Sequence, residues 1–339
     1  MAPADHIRAV SFVRPLVLGH DPRERTAVGP GEVRVSVAAC GICGSDIAAY
    51  AGLVDIRAPG TVMGHEAAGL ITEVGADVTG LAVGDRVAID PIVACGTCDF
   101  CATGQNNLCR TRRLYGCTPA LPGAYADEIV VGAVNAVPLP GGVSLEVGAL
   151  VEPLSVGRHA VDVAARLGDP ARVLVIGGGP IGLAAALAAR SDGLDVLLSE
   201  PQAERRAVAE RFGLDAVAPE DVPDAGAWPV AIDAVGITPT LDAAVHAIRP
   251  QGLVVFVGLG QDFVGMPGHP METGERRIAG SAAYTRDDVR RVIAWADEAA
   301  GDLAPLTGDV IGFADMDRVF AAYADRTRSA VKTLLMPSV

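Results

Sequence analysis

Residues 171–200 read ARVLVIGGGPIGLAAALAARSDGLDVLLSE, and few folds accommodate such a run. RVLVIG is an unbroken apolar stretch of strand length, the pattern of a parallel strand buried on both faces. GGGPIG follows at once, LAAALAAR has the composition and length of a helix stopped near Gly193, and DVLLSE is a second apolar strand ending in an acid. Strand, glycine turn, helix, strand, acid is the dinucleotide-binding unit of a Rossmann, doubly wound parallel sheet. Gly177 permits the tight turn, Gly179 lets the backbone approach a pyrophosphate, and Gly182 lets the helix lie close against the strand. Pro180 and Ile181 open the helix, whose free N–H groups meet the phosphates. Glu200 stands where a carboxylate binds the adenosine ribose hydroxyls. It would repel a 2′-phosphate, so NAD is expected rather than NADP. Arg205 and Arg206 follow closely; they could accept a phosphate, stack on the adenine or form a solvated helix face.

The alternation continues. PVAIDAVG (229–236) and GLVVFVGLG (252–260) read as further strands, each ending in glycines. TLDAAVHAIRP between them is an amphipathic helix ended by Pro250, and RRIAGSAAY (276–284) reads as the last strand. Ligands of such sheets sit at the carboxyl ends of strands. Val235, Gly236, Val257, Gly258 and Leu259 are thereby expected near the nicotinamide, with Ser281 in the same group.

The first half has another texture. CGTCDFCATGQNNLC, residues 95–109, holds four of the chain's 7 cysteines. Disulfide scaffolds are short, secreted and Cys-dense, whereas this chain has 339 residues. Its first residues lack the h-region and cleavage site of a signal peptide, so a reducing cytoplasm is the expected setting. Clustered thiols there bind metal or do chemistry. Cys95, Cys98, Cys101 and Cys109 are read as ligands of a structural zinc, with Gly96, Gly104 and the Asn106–Asn107 pair supplying the turns. A four-Cys iron–sulfur cluster uses the same ligand type.

Length suggests two domains, and an apolar content of 50% is ample for two cores. The net charge is -14, and Lys332 is the only lysine. An acidic surface disfavours nucleic acid and anionic membrane as partners. No apolar run reaches the roughly 18 residues of a membrane span.

Three pieces remain: GICGSD with Cys43, GHE with His65 and Glu66, and GALVEPLSVG with Glu152. Alone, each is ambiguous. A Cys in an apolar stretch is commonly a small core residue, and a His a structural one. An acid behind GALV is harder to dismiss, because burying an uncompensated carboxylate is costly.

With these pieces the chain resembles the zinc-dependent medium-chain alcohol dehydrogenases, most closely their polyol (sorbitol-type) and threonine dehydrogenase branch. GICGSD, GHE, the four-Cys lobe, GDRV (84–87), ALVEPLSVG, GGGPIG and SEP (199–201) carry the resemblance over nearly the whole length. It implies an α/β architecture: a GroES-like, β-rich catalytic domain over 1–150, a Rossmann NAD-binding domain over 151–285, and a return to the catalytic domain over 286–339. The active site is expected in the cleft between them, and a homo-oligomer, dimer or tetramer, is expected.

The resemblance makes Cys43 and His65 catalytic zinc ligands. Glu66 or Glu152 takes the remaining protein position, one binding directly while the other acts through water or enters during turnover. Cys40, in the same loop, is the alternative thiol. Two zinc ions per chain are expected. Zinc would acidify a substrate alcohol, whose hydride then passes to nicotinamide. Ser45 is placed to take the alcohol proton, and Asp46 to accept a hydrogen bond from the non-ligating nitrogen of His65; local turn capping is the plain alternative for both. Two positions depart from the pattern. Ala48 stands where many relatives carry a relay His, and Ala283 where sorbitol-type enzymes carry an Arg before Tyr284. The implied activity is NAD-dependent interconversion of a polyol, cyclitol or sugar-like secondary alcohol and its ketone. A 3-hydroxy amino acid or vicinal diol is the alternative substrate, and a zinc- and NAD-binding sensor without turnover is the alternative outside the enzymes.

Overall fold

The structure, a computed structural model, describes residues 6–299, 303–328 and 330–339. It divides into two compact units: residues 1–152 with 289–339, and residues 153–288.

The first unit is built on a seven-stranded sheet. Strand β1 (Glu32–Gly41) runs through its middle, leads to helix α1 (Gly44–Tyr50), and pairs antiparallel with β2 (Glu66–Val74). The C-terminal strand Thr333–Leu335 pairs with the end of β1, matching Leu334 to Gly41 and Leu335 to Cys40. Alternating Val33, Val35 and Val37 of β1 pack with Ile71, Val87, Ile129 and Phe320 in one apolar core. Tyr50 belongs to this core, its ring edge-on to Phe320 at 5.4 Å. Cys40 is likewise fully buried in the core, as the plain reading of an apolar cysteine has it.

The second unit holds a six-stranded, all-parallel sheet. Its strands are β3 (Arg172–Ile176), β4 (Asp195–Ser199), Asp215–Val217, β5 (Trp228–Asp233), β6 (Ile248–Phe256) and β7 (Arg277–Gly280). Counted along the chain, their spatial order is 3-2-1-4-5-6. This is the dinucleotide-binding order, with its switch point between β3 and β5. Between β3 and β4 lies α2 (Pro180–Ser191), with Gly179 as N-cap and proline in its first turn. Three strands differ from the expected spans. β5 stops at Asp233 because that carboxylate turns back to accept from Val235 N (2.9 Å) and Gly236 N (3.0 Å). β6 begins earlier, at Ile248, and contains Pro250. β7 ends at Gly280; the chain then turns at Ala283, whose φ of 47° is incompatible with a strand.

Candidate active site

Register brings the metal-type side chains of the first unit together. Gly41 opposes Glu66 in the β1–β2 pair. Cys43, two residues beyond Gly41, and His65, one before Glu66, therefore meet at the same end of the sheet. The ligand atoms of Cys43, His65 and Glu66 all lie within 4.8 Å of one another. The C-terminal strand adds Lys332, whose Nζ donates to Ile42 O (3.1 Å) and forms an ion pair with Glu66. Both side chains of that pair are buried, at 2% and 1% exposure. A Cβ on Gly41 would overlap the Glu66 carboxylate and the Lys332 stem, so a larger residue there would displace the ion pair.

Asp46 is wholly buried behind His65. Its Oδ2 accepts from the Tyr125 hydroxyl (2.9 Å) and stands 3.6 Å from His65 Nδ1, longer than a hydrogen bond. Ser45 Oγ donates to Cys43 Sγ at 3.3 Å. Glu152 lies outside the tight group, yet the charges of His65, Glu66, Cys43 and Lys332 all act on it. Desolvation, with repulsion from Glu66 and Cys43, pushes its carboxyl up to about 8. Burial and the Glu66 charge push the Cys43 thiol up to about 12. Arg158, further along the same helix, is taken up by Asp162 and Asp192.

The fit to a divalent cation follows. A thiol, an imidazole whose buried Nδ1 has no partner, and the Glu66 carboxyl crowd one place, with Glu152 coupled to them from just outside the group. A cation between them would offset the desolvation, and the repulsion added to it, that raise Cys43 and Glu152. Thiol, imidazole and carboxylate are zinc donors.

The lobe fits zinc independently. The four sulfurs of Cys95, Cys98, Cys101 and Cys109 lie within 4.8 Å of one another. Cys95 Sγ and Cys101 Sγ are 3.9 Å apart. Thiolates about 2.3 Å from a tetrahedral zinc stand about 3.8 Å apart. N–H groups of Thr97 and Cys98 draw the Cys95 thiol down to about 5, whereas desolvation and Cys98 push Cys101 up to about 12. No disulfide joins the seven cysteines.

In the second unit the glycine turn follows β3. Gly177 has φ of 101°, and a Cβ on Gly182 would overlap the Gly177 carbonyl oxygen. Nothing stands within 4 Å of a Cβ on Gly179, so the backbone is open there to a bulky anion. Pro180 and Ile181 begin α2. Glu200 is buried, and its carboxylate accepts from Gly178 N (2.7 Å) and Gln202 N (2.8 Å). It thus ties the turn to β4 while keeping lone pairs for a hydroxyl donor. Arg205 lies on the helix Ala203–Arg211, and Arg206 donates to the carbonyls of Glu200 and Pro201. Val257 N and Gly258 N both bond Asp233 O, which places them beside Val235 and Gly236 at the switch point. Leu259, 75% exposed, projects from the same loop. The buried Ser281 hydroxyl has no partner.

Sequence reasoning missed two residues. Lys332 had one signal, its being the only lysine. Arg57, bonded to Asp46 and Ser45, had none. Cys117, also left without a role, lies close enough for the charges of Arg57, Asp46, Cys43 and Glu152 to act on it.

Known proteins are similar to this chain. Residues 29–141 match the alcohol dehydrogenase GroES-like domain, and residues 180–298 the zinc-binding dehydrogenase domain. The L-idonate 5-dehydrogenase of Vitis vinifera is 37% identical over 76% of this chain and 75% of its own. The sorbitol dehydrogenase of Arabidopsis thaliana is 37% identical over the same shares, 76% and 75%. The crystal structure of a Sinorhizobium meliloti 1021 zinc-binding dehydrogenase bound to NADP superposes with a TM-score of 0.88, at 28% identity, over 98% of this chain and 100% of that one. The chain belongs to the zinc-dependent medium-chain alcohol dehydrogenase family, polyol branch. It is an oxidoreductase that interconverts an alcohol and a ketone, with zinc and a nicotinamide nucleotide. Among the described residues, no helix is long and apolar enough to cross a membrane.

Proposed function

We propose that the protein oxidises a secondary hydroxyl of a polyol or sugar-derived substrate to the ketone, or reduces that ketone, with NAD as hydride carrier. The observation that carries this reading is the convergence of Cys43, His65 and Glu66 at one sheet end, in a chain whose other unit has a 3-2-1-4-5-6 sheet and an open glycine turn. The L-idonate and sorbitol enzymes support the substrate class.

Cys43, His65 and Glu66 would hold the catalytic zinc, with Glu152 as the exchangeable carboxylate. The four lobe cysteines would hold a second, structural ion. When bound, the catalytic ion supplies Lewis-acid polarisation of the substrate oxygen. Ser45 Oγ, beside Cys43, accepts the alcohol proton. With Ala48 in place of a relay histidine, that proton leaves by ordered water or a ribose hydroxyl. Asp46, beside the His65 ring, would hold it once the ring ligates. The Gly177–Gly182 turn and the α2 N-terminus receive the pyrophosphate. Glu200 receives the adenosine ribose and disfavours a 2′-phosphate, which selects NAD even though the Sinorhizobium relative binds NADP. Residues 235, 236, 257–259 and 281 border the nicotinamide. Ala283 leaves the polyol without an arginine partner, so recognition of the distal hydroxyls rests on other groups.

The test is a substrate panel of polyols, cyclitols, sugar acids, vicinal diols and 3-hydroxy amino acids. Each is offered with NAD and with NADP, and cofactor reduction is followed by absorbance. Turnover of a polyol or sugar acid with NAD preferred is expected. Preference for NADP would overturn the part given to Glu200. Turnover confined to hydroxy amino acids or simple diols would overturn the substrate class. NAD binding without reduction across the panel would leave a sensor.

A further inference from the structure

The stretch 51–60 crosses the surface after α1. Leu53 and Ile56 stand in solvent, at 69% and 44% exposure. Arg57 is the only buried residue of the ten. This is the reverse of what anchoring alone requires. An apolar side chain seats a loop at little cost, and two were available. Burying a guanidinium is costly unless its donors meet acceptors and an opposite charge.

The acceptors are particular ones. Arg57 Nε and Nη2 both donate to Asp46 Oδ1, at 3.0 and 2.8 Å. Nη2 also reaches Ser45 Oγ at 3.3 Å, and Nη1 donates to Ile56 O at 3.1 Å. Each side-chain acceptor in turn adjoins a proposed zinc ligand. Ser45 Oγ, receiving from Arg57, directs its own proton to Cys43 Sγ at 3.3 Å. Asp46, with Oδ1 claimed by Arg57, keeps Oδ2 turned to Tyr125 and to His65 Nδ1. A carboxylate held on one side by two donors cannot spin about its terminal torsion. The His65 ring lies beside that held carboxylate, with Nδ1 3.6 Å from Oδ2.

We propose that Arg57 is a positioning residue of the catalytic metal cluster. One guanidinium, reaching in from a surface loop, fixes the Ser45 hydroxyl and the Asp46 carboxylate, and through them the donor atoms of Cys43 and His65. This rests on the ligand set proposed above. A lysine cannot replace it, because an ammonium is a point charge that lacks the planar fork spanning both acceptors. The loop 51–60 is thereby tied to the metal site rather than merely lying near it.

The test uses cobalt(II), which reports its own ligand geometry in visible absorption. Full-length wild type, Arg57→Met and Arg57→Lys are stripped of metal and titrated with cobalt(II). Ion count, affinity and spectrum are read together. Wild type is expected to take two ions. Arg57→Met should keep the lobe's ion unchanged, bind the second about 10- to 100-fold more weakly, the range for residues that support ligands, and show an altered spectrum for that ion. Arg57→Lys should fall between. Binding of NADH, followed by fluorescence, should not change in either variant, while kcat on the best panel substrate falls with the metal affinity. Wild-type affinity and spectrum for the second ion in both variants would overturn the proposal. If Arg57→Met does not fold, as judged by loss of the lobe's ion and of a cooperative melt, Arg57→Lys decides alone by the same two readings. A wild type that takes only one ion would instead sink the ligand set itself, and the proposal with it.

Discussion

In the Cys95–Cys109 lobe, four thiols come from one short segment; Cys95 is exposed, Cys98 and Cys101 are half-buried, and only Cys109 is buried. The other cluster draws Cys43, His65, Glu66 and Lys332 from three separate parts of the chain, and its Glu66–Lys332 pair is almost entirely out of solvent. The lobe is made by turns. The cluster is made by register: Gly41 against Glu66, and Leu334 against Gly41. A metal in the first would hold a segment closed, because that segment has little core of its own. A metal in the second would sit where the sheet has already converged, and would serve the chemistry proposed above. Loss of ligands should therefore separate stability from activity.

Cys43→Ser breaks the comparison most sharply. Turnover should fall by more than the about 100-fold that a supporting residue costs. Metal analysis should drop from two ions to one, with the melting temperature nearly unchanged. Two ions retained would show that Cys43 is not a ligand. Lys332→Met should act on the same cluster through charge. Removing one partner of a buried ion pair costs about 3–5 kcal/mol. Urea unfolding of the metal-stripped protein would measure it, and the Lys332→Met/Glu66→Gln double variant should recover most of the loss. An additive double variant would mean that the pair contributes nothing. Cys98→Ser is the mirror of Cys43→Ser: the ion at Cys43 and His65 stays, and the lobe's ion goes. The melt should fall by several degrees, at about 2–4 °C for each kcal/mol in units of this size. An unchanged melt would make the lobe's metal ornamental.

The smallest effect concerns pH. Burial, with Glu66 and Cys43, raises the Glu152 carboxyl from its ordinary value of 4.5 to about 8 in the metal-free protein. The folded chain then binds a proton that the unfolded chain has released, so stability falls as pH climbs from about 4.5 to about 8. Glu152→Gln should flatten that part of the profile in chelated protein, and thermal melts at a series of pH values would show it. Identical slopes would place Glu152 in water rather than against the cluster.

The difference between the two regions also explains what could be read in advance. Cys95, Cys98, Cys101 and Cys109 are legible because their spacing is itself the site. The glycine turn is legible for the same reason, with its strand, helix and acid all inside thirty residues. Cys43, His65, Glu66 and Glu152 were separable from core residues only through family resemblance, since nothing local says which strands will pair. Lys332 and Arg57 are meaningful only once β1, β2 and the C-terminal strand are in register. Strand ends were misjudged where a side chain or one torsion overrides apolar pattern, as the Asp233 carboxylate does for β5 and Ala283 for β7. In both cases the deviation lies at the carboxyl edge of the parallel sheet, where ligands bind and local rules yield to the site.

The pairing of Thr333–Leu335 with the end of β1 has a consequence for the timing of synthesis. The lobe and the six-stranded sheet are encoded well before the end of the chain and can close while translation continues. Lys332 cannot reach Glu66 until the last strand has emerged, and until then Glu66 faces its neighbours without its cation. Completion of the Glu66 site therefore comes after both the lobe and the six-stranded sheet. A chain halted after Arg328 should take up the ion of the lobe but leave Glu66 without its ammonium partner. The lobe's four thiols would thus be together before the strand that brings Lys332 to the other cluster exists.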